Sequence, residues 1–431
     1  MITLTSEFID ENWRTVKAGG VVPVSLFEWD DGDAYTQSSL GVLPGRIVFG
    51  ALVLDDTPVS DFPIVVRFTK ASTPTTTTLY DTPDEERYLV TGERRKAGRV
   101  DMQEVSVPRL RSSLASRRAG LLETDLLVGR SVTVIGLGTG GVQIALELAK
   151  AGVGNFSLVD PDRLEIGNIS RHQAGISFVG RRKVFAARDL IRESNPAAKV
   201  DVYPIRAEAS NEQQLRRVIL GSDLVVCATD NRPSKLFVNG LCVETGITAI
   251  FGGAFRRAYG GQILRVRPSA SACYHCFVLA MPDTEADREV SSEDDAAAVA
   301  YSYRPVLVEP GLALDVAPIS IMASKLAIQE LIRNEDSSLH ILDKDLDAGW
   351  YLWVNRPEPG TAYASWPPLS ESSDQMTILR WYGVYLDKDL GCPTCGDFRE
   401  ALKKQYGIEG GAVAAPQSRP FPPAKKANSQ G

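Results

Sequence analysis

Apolar and polar positions change their rhythm once along the chain, near residue 105. Before it, short apolar or alternating runs predict strands at Val22 to Glu28, Arg46 to Leu54 and Pro63 to Thr69, broken by turn-rich and threonine-rich stretches such as "STPTTTTLYDTP". A basic stretch, "RRKAGRVDMQEVSVPRLRSSLASRR", leads into the second part. There, strands and helices take turns. Strands are predicted at Val132 to Ile135, Phe156 to Val159, Lys199 to Pro204 and Asp223 to Ala228, with helices over about 140–151, 180–194 and 211–220. Further strands are expected at Thr248 to Gly252 and Gln262 to Val266, and a helix from about Pro318 to Asn334. Such alternation predicts an α/β fold, a Rossmann-like, mostly parallel sheet covered by helices. We therefore expect a β-rich module over residues 1–105, an α/β domain over 106–400 and a disordered tail over 401–431, where "GGAVAAPQSRPFPPAKKANSQG" has almost no large apolar residues. The N-terminal module has no His, no Cys and no readable motif.

Composition narrows the partners. Lys+Arg 47 against Asp+Glu 54 gives a net charge of -7 over 431 residues, which speaks against a surface for nucleic acid or anionic membranes and for a protein or small-molecule partner. The first residues, "MITLTSEFIDENW", lack the basic flank and apolar run of a secretory signal, and no apolar stretch is long enough to span a bilayer, so the expected location is the cytoplasm.

The chemistry begins at "GLGTGG". Gly136, Gly138 and Gly141 form G-x-G-x-x-G at a strand-to-helix turn, where the missing side chains let the backbone approach phosphate oxygens. The spacing alone serves several nucleotide-binding classes, dinucleotide dehydrogenases among them. Asp160, ending the next strand, is placed to accept hydrogen bonds from a ribose, which leaves the dehydrogenase open. The loop "DPDRLEIGNISRH" changes the balance, because it brings Asn168 and Arg171 to the sheet edge. With Lys183 opening the next helix and Asp230 in "VVCATDN", two cations and a carboxylate gather at one phosphate region. That inventory suits Mg-ATP better than a nicotinamide, since a metal on Asp230 and donors from Arg171 and Lys183 can stabilise charge on an α-phosphate and a leaving pyrophosphate.

Six cysteines include two Cys-x-x-Cys pairs, Cys273 with Cys276 and Cys392 with Cys395. Together they could hold one structural zinc ion and clip a late β segment onto the domain; two separate redox pairs are the competing use. Cys227 and Cys242 read as core.

In this order, "GLGTGG", "DPDRLEIGNISR", "GRRK", "ATDN", "CYHC" and "CPTC" resemble the ThiF/MoeB-type adenylyltransferases, which share their fold with ubiquitin-activating enzymes. The resemblance runs from about Arg109 to Gly396. It implies that Asp160, with Asp162 in the same D-x-D pair, binds the nucleotide at the ribose, that Asn168, Arg171 and Lys183 attend the phosphates, and that Asp230 positions magnesium. It implies as substrate the C-terminal glycine carboxylate of a ubiquitin-like or sulfur-carrier protein, converted to an acyl-adenylate, with a ubiquitin-conjugating-type enzyme as a further partner. It also implies a homodimer, in which an arginine such as Arg109, Arg111, Arg117 or Arg118 completes the partner's site. "NISRH" and "VGRRK" look most like the activating enzymes of bacterial ubiquitin-like conjugation operons, several of which serve antiphage defence. Members that carry the acyl group on their own cysteine place it after the first zinc knuckle. Met281 to Pro310 contains none, so either a partner takes the acyl group or a hydroxyl such as Thr284, Ser291, Ser292 or Ser302 accepts it. The readings that remain beside carrier activation are adenylation of a natural-product peptide, held by the N-terminal module, and a nucleotide-binding scaffold without catalysis.

Overall fold

The computed structural model of the chain describes residues 2–28, 34–36, 46–55, 57–59, 61–70, 78–96, 99–108, 116, 125–281, 311–361, 364 and 377–396. The chain divides into two compact units, Met1–Gly120 with Asn195–Ala197, and Leu121–Ser194 with Ala198–Gly431. The expected tail over 401–431 lies outside the described residues. Among them, no helix is long and apolar enough to cross a membrane.

The first unit is a nine-stranded sheet built from β1 (Ile2–Thr3), β2 (Val22–Glu28), β3 (Ala34–Thr36), β4 (Arg46–Leu54), β5 (Ile64–Lys70), β6 (Leu79–Asp81), β7 (Arg87–Lys96), β8 (Arg99–Gln103) and β9 (Val105–Ser106). Their order is β6-β7-β5-β4-β2-β3-β1-β9, with β8 also on β7. One element here escaped the strand-based expectation: helix α1 (Ser6–Lys17), capped by Thr5, whose hydroxyl accepts the Phe8 N–H at 3.4 Å. Its buried positions Ile9, Trp13 and Val16 follow a helical spacing, but the charged residues between them hide the stripe. Trp13 packs edge-on to Phe68 and Tyr88, ring centroids 5.5 and 4.8 Å away.

The second unit holds an eight-stranded sheet of β10 (Ser131–Ile135), β11 (Asn155–Val159), β12 (Lys199–Tyr203), β13 (Leu224–Cys227), β14 (Ala249–Ala254), β15 (Gly260–Val266), β16 (Trp350–Val354) and β17 (Arg380–Val384), ordered β12-β11-β10-β13-β14-β15-β16-β17. The helices are α2 (Asp125–Val128), α3 (Thr139–Ala151), α4 (Lys183–Ser194), α5 (Glu212–Leu220), α6 (Arg232–Thr245), α7 (Tyr274–Ala280) and α8 (Ala313–Ile332). Strands β12 to β14 along this order are parallel, as the helical crossovers require, and β14 to β17 are antiparallel. Both faces are covered: Leu224 and Val226 of β13 enter one core with α3, α4 and α8, while Val225 and Cys227 enter the other with α5, α6 and α7.

Two helix starts differ from expectation. α4 begins at Lys183 rather than near residue 180, because Gly180 has φ +84° and donates its N–H to the Leu164 carbonyl at 2.8 Å. α8 begins at Ala313, five residues before Pro318. The proline sits in the second turn, where the Leu314 carbonyl forgoes its usual donor.

Candidate active site

The strand order reverses between β10 and β13: the chain leaves β10 for β11 and β12 on one side and returns to β13 and β14 on the other. The loops after these two strands therefore part and leave a crevice at their carboxyl ends. Two adjoining cavities occupy it, of about 530 and 250 Å³. Gly138, Lys183, Thr229 and Asp230 line both. Ile135, Val159, Asp160, Asp162, Ile205, Ala207 and Phe237 line the larger, which suits the flat apolar body of a nucleoside. Asn168, Arg171, His172 and Lys235 line the smaller.

The three glycines do different things. Gly136 adopts φ +88°, and a Cβ there would meet the Ala228 and Thr229 backbone at 2.8 Å. A Cβ on Gly141 would run into the Gly136 carbonyl oxygen, so this residue lets α3 close on the turn; it lines neither cavity. Around Gly138 nothing lies within 4 Å of an added Cβ. It faces open space at the N-terminus of α3, the position where a phosphate would seat.

Asp160 is 5% exposed, and its two oxygens accept the N–H groups of Leu137 (2.6 Å) and Asp162 (2.8 Å). Burial pushes its carboxyl above the usual range, against the pull of Lys183 and the two peptide donors. Lys183 reaches Asp162 Oδ2 at 2.9 Å. Burial works to lower its pKa, but Asp160, Asp162 and Asp230 outweigh it and hold the ammonium above its ordinary value. The cation is thus fixed between three carboxylates, of which Asp162 and Asp230 are exposed and Asp230 alone lines both cavities. An exposed carboxylate beside a phosphate cradle fits a hard divalent cation such as magnesium. Asn168 caps its own loop, its Oδ1 accepting the Glu165 N–H at 3.0 Å.

The fold thus brings Gly136, Gly138, Asp160, Asp162, Asn168, Arg171, Lys183 and Asp230 to one crevice. Two further residues there have no counterpart in the expectation. Lys235, 2% exposed, lies with its ammonium 5.9 Å from the centre of the Tyr274 ring. Its spacing was a usable signal, since it shares the buried face of α6 with Val238, Asn239 and Cys242. His172 is the second, and it grips the glycine turn itself, its Nε2 lying 3.1 Å from the Leu137 carbonyl.

The four paired cysteines converge. Their sulfurs all lie within 4.8 Å of one another, with Cys273 to Cys276 at 3.9, Cys273 to Cys392 at 3.7 and Cys276 to Cys395 at 3.3 Å. A tetrahedral zinc ion with bonds of about 2.3 Å spaces its thiolates by about 3.8 Å, so the donor set fits that ion and argues against two separate redox pairs. His275 turns away to Thr394 (Nδ1 to Oγ1, 2.9 Å), leaving the set all-sulfur. The cluster is tied to the crevice through α6, whose Asn239 Oδ1 accepts the Tyr274 N–H at 2.8 Å. Cys227 and Cys242 are wholly buried in the core, as their apolar surroundings suggested.

A reversal-point crevice, an open glycine at a helix N-terminus and a cation among carboxylates define a doubly wound α/β protein whose polar groups gather at the switch point. The chain belongs to the ThiF family, whose model matches residues 111–340. Among curated relatives, it is 32% identical over 153 residues to the sulfur carrier protein adenylyltransferase of Thermus thermophilus, covering 34% of this chain and 55% of that protein. It is 32% identical over 166 residues to the adenylyltransferase and sulfurtransferase MOCS3 of Arabidopsis thaliana (38% and 35% covered). With ubiquitin-like modifier-activating enzyme 5 of Xenopus laevis it shares 28% identity over 200 residues (43% and 49% covered). The chain thus spans about half or less of the length of these relatives. E. coli MccB in its ATP complex aligns with a TM-score of 0.44 at 16% identity, over 63% of this chain and 68% of that one.

Proposed function

We propose that this protein is an adenylyltransferase that uses ATP to activate the C-terminal glycine carboxylate of a ubiquitin-like or sulfur-carrier protein. The observation that carries the reading is the placement of Gly138, Lys183 and Asp230 on the shared wall of two cavities, one shaped for a nucleoside and one large enough for a slender chain end. Sequence likeness to activating enzymes of sulfur carriers and ubiquitin-like modifiers supports the substrate class.

In this reading Asp160 and Asp162 hold the ribose end, and the peptide N–H groups opening α3 receive the phosphates. The carrier's carboxylate oxygen bonds to the α-phosphorus as the bond to the bridging oxygen breaks, and pyrophosphate leaves with that electron pair. Arg171 and Lys183 face the charge that builds on the phosphates, and Lys183 would do so without reorganising, because Asp162 already holds it. Asp230 would hold magnesium, which supplies charge neutralisation for the leaving group. Zinc on Cys273, Cys276, Cys392 and Cys395 has a structural role, since four protein ligands leave no open position.

The product passes to another molecule. All six cysteines of the chain fall among the described residues; four form the cluster, and Cys227 and Cys242 have no exposed surface. In this reading the acyl acceptor is a conjugating-type partner and the setting is a bacterial ubiquitin-like conjugation pathway, whose activating enzymes the "NISRH" and "VGRRK" motifs resemble. Thr284, Ser291, Ser292 and Ser302, the hydroxyl alternatives, lie outside the described residues, as do Arg109, Arg111, Arg117 and Arg118, from which a homodimer would draw the arginine that completes each site.

Pyrophosphate–ATP exchange with purified carriers tests this reading. Exchange that depends on the carrier's terminal glycine is expected, without a thiol-sensitive adduct on the enzyme. Exchange supported by a short peptide and by no carrier would replace the substrate; exchange by no substrate at all would leave a nucleotide-binding scaffold.

A further inference from the structure

The polar loop that supplies Asn168 and Arg171 ends on His172, to which the adenylation reading gives no role. Its surroundings do. The peptide groups of Leu137, inside the glycine turn, are gripped from two sides: the N–H by Asp160 Oδ2 at 2.6 Å, the carbonyl by His172 Nε2 at 3.1 Å. On the opposite edge of the ring, His172 Nδ1 receives the Ala174 N–H at 3.0 Å. A ring nitrogen that accepts a peptide N–H bears no hydrogen, so the imidazole is neutral and its one N–H, on Nε2, points at the turn. His172 is 9% exposed, and the residue after Leu137 is Gly138, the glycine that faces both cavities.

We infer that His172 is a positioning residue for the nucleotide: as the neutral Nε2–H tautomer it holds the Leu137–Gly138 peptide in the orientation against which the phosphates seat. The inference rests on the adenylation reading for its assay, not for its geometry. Arg171, Lys183, Asp230, Lys235 and Arg257, which line the same cavity, and Asp160, across Leu137, are the charged groups around it. Burial holds the imidazole below its usual pKa; the Leu137 carbonyl pulls it up and Lys183 pushes it down. Protonation would set an Nδ1–H against the Ala174 N–H, two donors face to face, and loosen the loop from the turn.

The test compares His172→Leu, which keeps bulk without polar edges, with His172→Gln, whose amide offers one donor and one acceptor. In pyrophosphate–ATP exchange by the full chain with its carrier, the Leu variant should lose about ten- to a hundredfold in kcat/KM for ATP. The Gln variant should recover to within about threefold of wild type. Wild-type exchange should fall on the acid side of neutrality, and the Gln variant should lack that acid limb, a change that a merely structural role would not produce. A Leu variant equal to wild type, or an unchanged acid limb in the Gln variant, overturns the inference. If the Leu variant does not fold, the Gln profile decides alone. If wild type exchanges with no substrate, the adenylation reading fails. The inference is then judged by titration with a fluorescent ATP analogue, where weaker binding by the Leu variant upholds it and equal binding overturns it.

Discussion

The two sheets use charge in opposite ways. In the N-terminal unit, charged side chains answer one another: Arg67 of β5 and Arg95 of β7 share Glu93 of β7 at 2.6 and 2.7 Å, and Lys17, ending α1, bridges Asp84 and Glu86 of the turn before β7. In the second sheet, Asp160 and Asp162 from the loop after β11, Lys183 at the start of α4 and Asp230 from the loop after β13 turn toward a common space. The difference lies in connection. Crossovers through helices bring every parallel strand back in one direction, so the loops at one end collect whatever chemistry they carry, whereas antiparallel neighbours alternate their ends. A parallel sheet with a reversal of strand order thus gathers a site that a largely antiparallel one does not.

Perturbations should separate the two sheets, beginning with the metal. Zinc on four thiolates contributes about 10–16 kcal/mol in small structural sites, so chelation or Cys392→Ser should melt the second sheet's cysteine-clipped end. Melting curves and a metal content of about one zinc per chain check this. Trp13→Ala should cost the N-terminal sheet about 3–5 kcal/mol in a denaturant titration while zinc content stays unchanged. Next in size, Asp230→Ala should lower exchange by about 10²–10³-fold without moving the melting temperature, because its carboxylate is exposed and faces the cavities rather than the core. Intact exchange by that variant would break the comparison outright.

Within the glycine turn the expected effects are smaller. Gly141→Ala should destabilise by about 1–3 kcal/mol, since its Cβ meets the Gly136 carbonyl. Gly138→Ala should spare stability and weaken ATP binding instead, readable by titration. The smallest effect is alkaline. Lys183 has its folded pKa above the ordinary 10.5, so its contribution is complete below that pH and is lost as pH rises through the folded value. A melting series from neutral to strongly alkaline pH should show this loss in wild type and not in Lys183→Met.

Much of this was legible in the chain because it is local. "GLGTGG", the loop from Asp160 and the lysine opening α4 announce themselves where a strand hands over to a helix, and short-range geometry decides what each can do. α1 was missed although Ile9, Trp13 and Val16 mark its stripe, since charged neighbours dilute the periodic signal. The antiparallel strands β16 and β17 were missed because their partners lie far away in sequence or behind a long connection. For the cysteines, spacing within each pair suggested metal binding, but only their convergence argues against two separate redox pairs.

The sequence by itself determined the alternating elements, the glycine turn between strand and helix and the identity of the polar groups, because these depend on residues within a few turns of one another. Tertiary structure alone decided that the reversal at β10 and β13 sets Lys183 among three aspartates, that Lys235 reaches a cavity from a buried helix face, and that His172 closes on Leu137. These juxtapositions span residues tens of positions apart, and it is the packing of helices against both faces of the sheet that brings them within bonding distance.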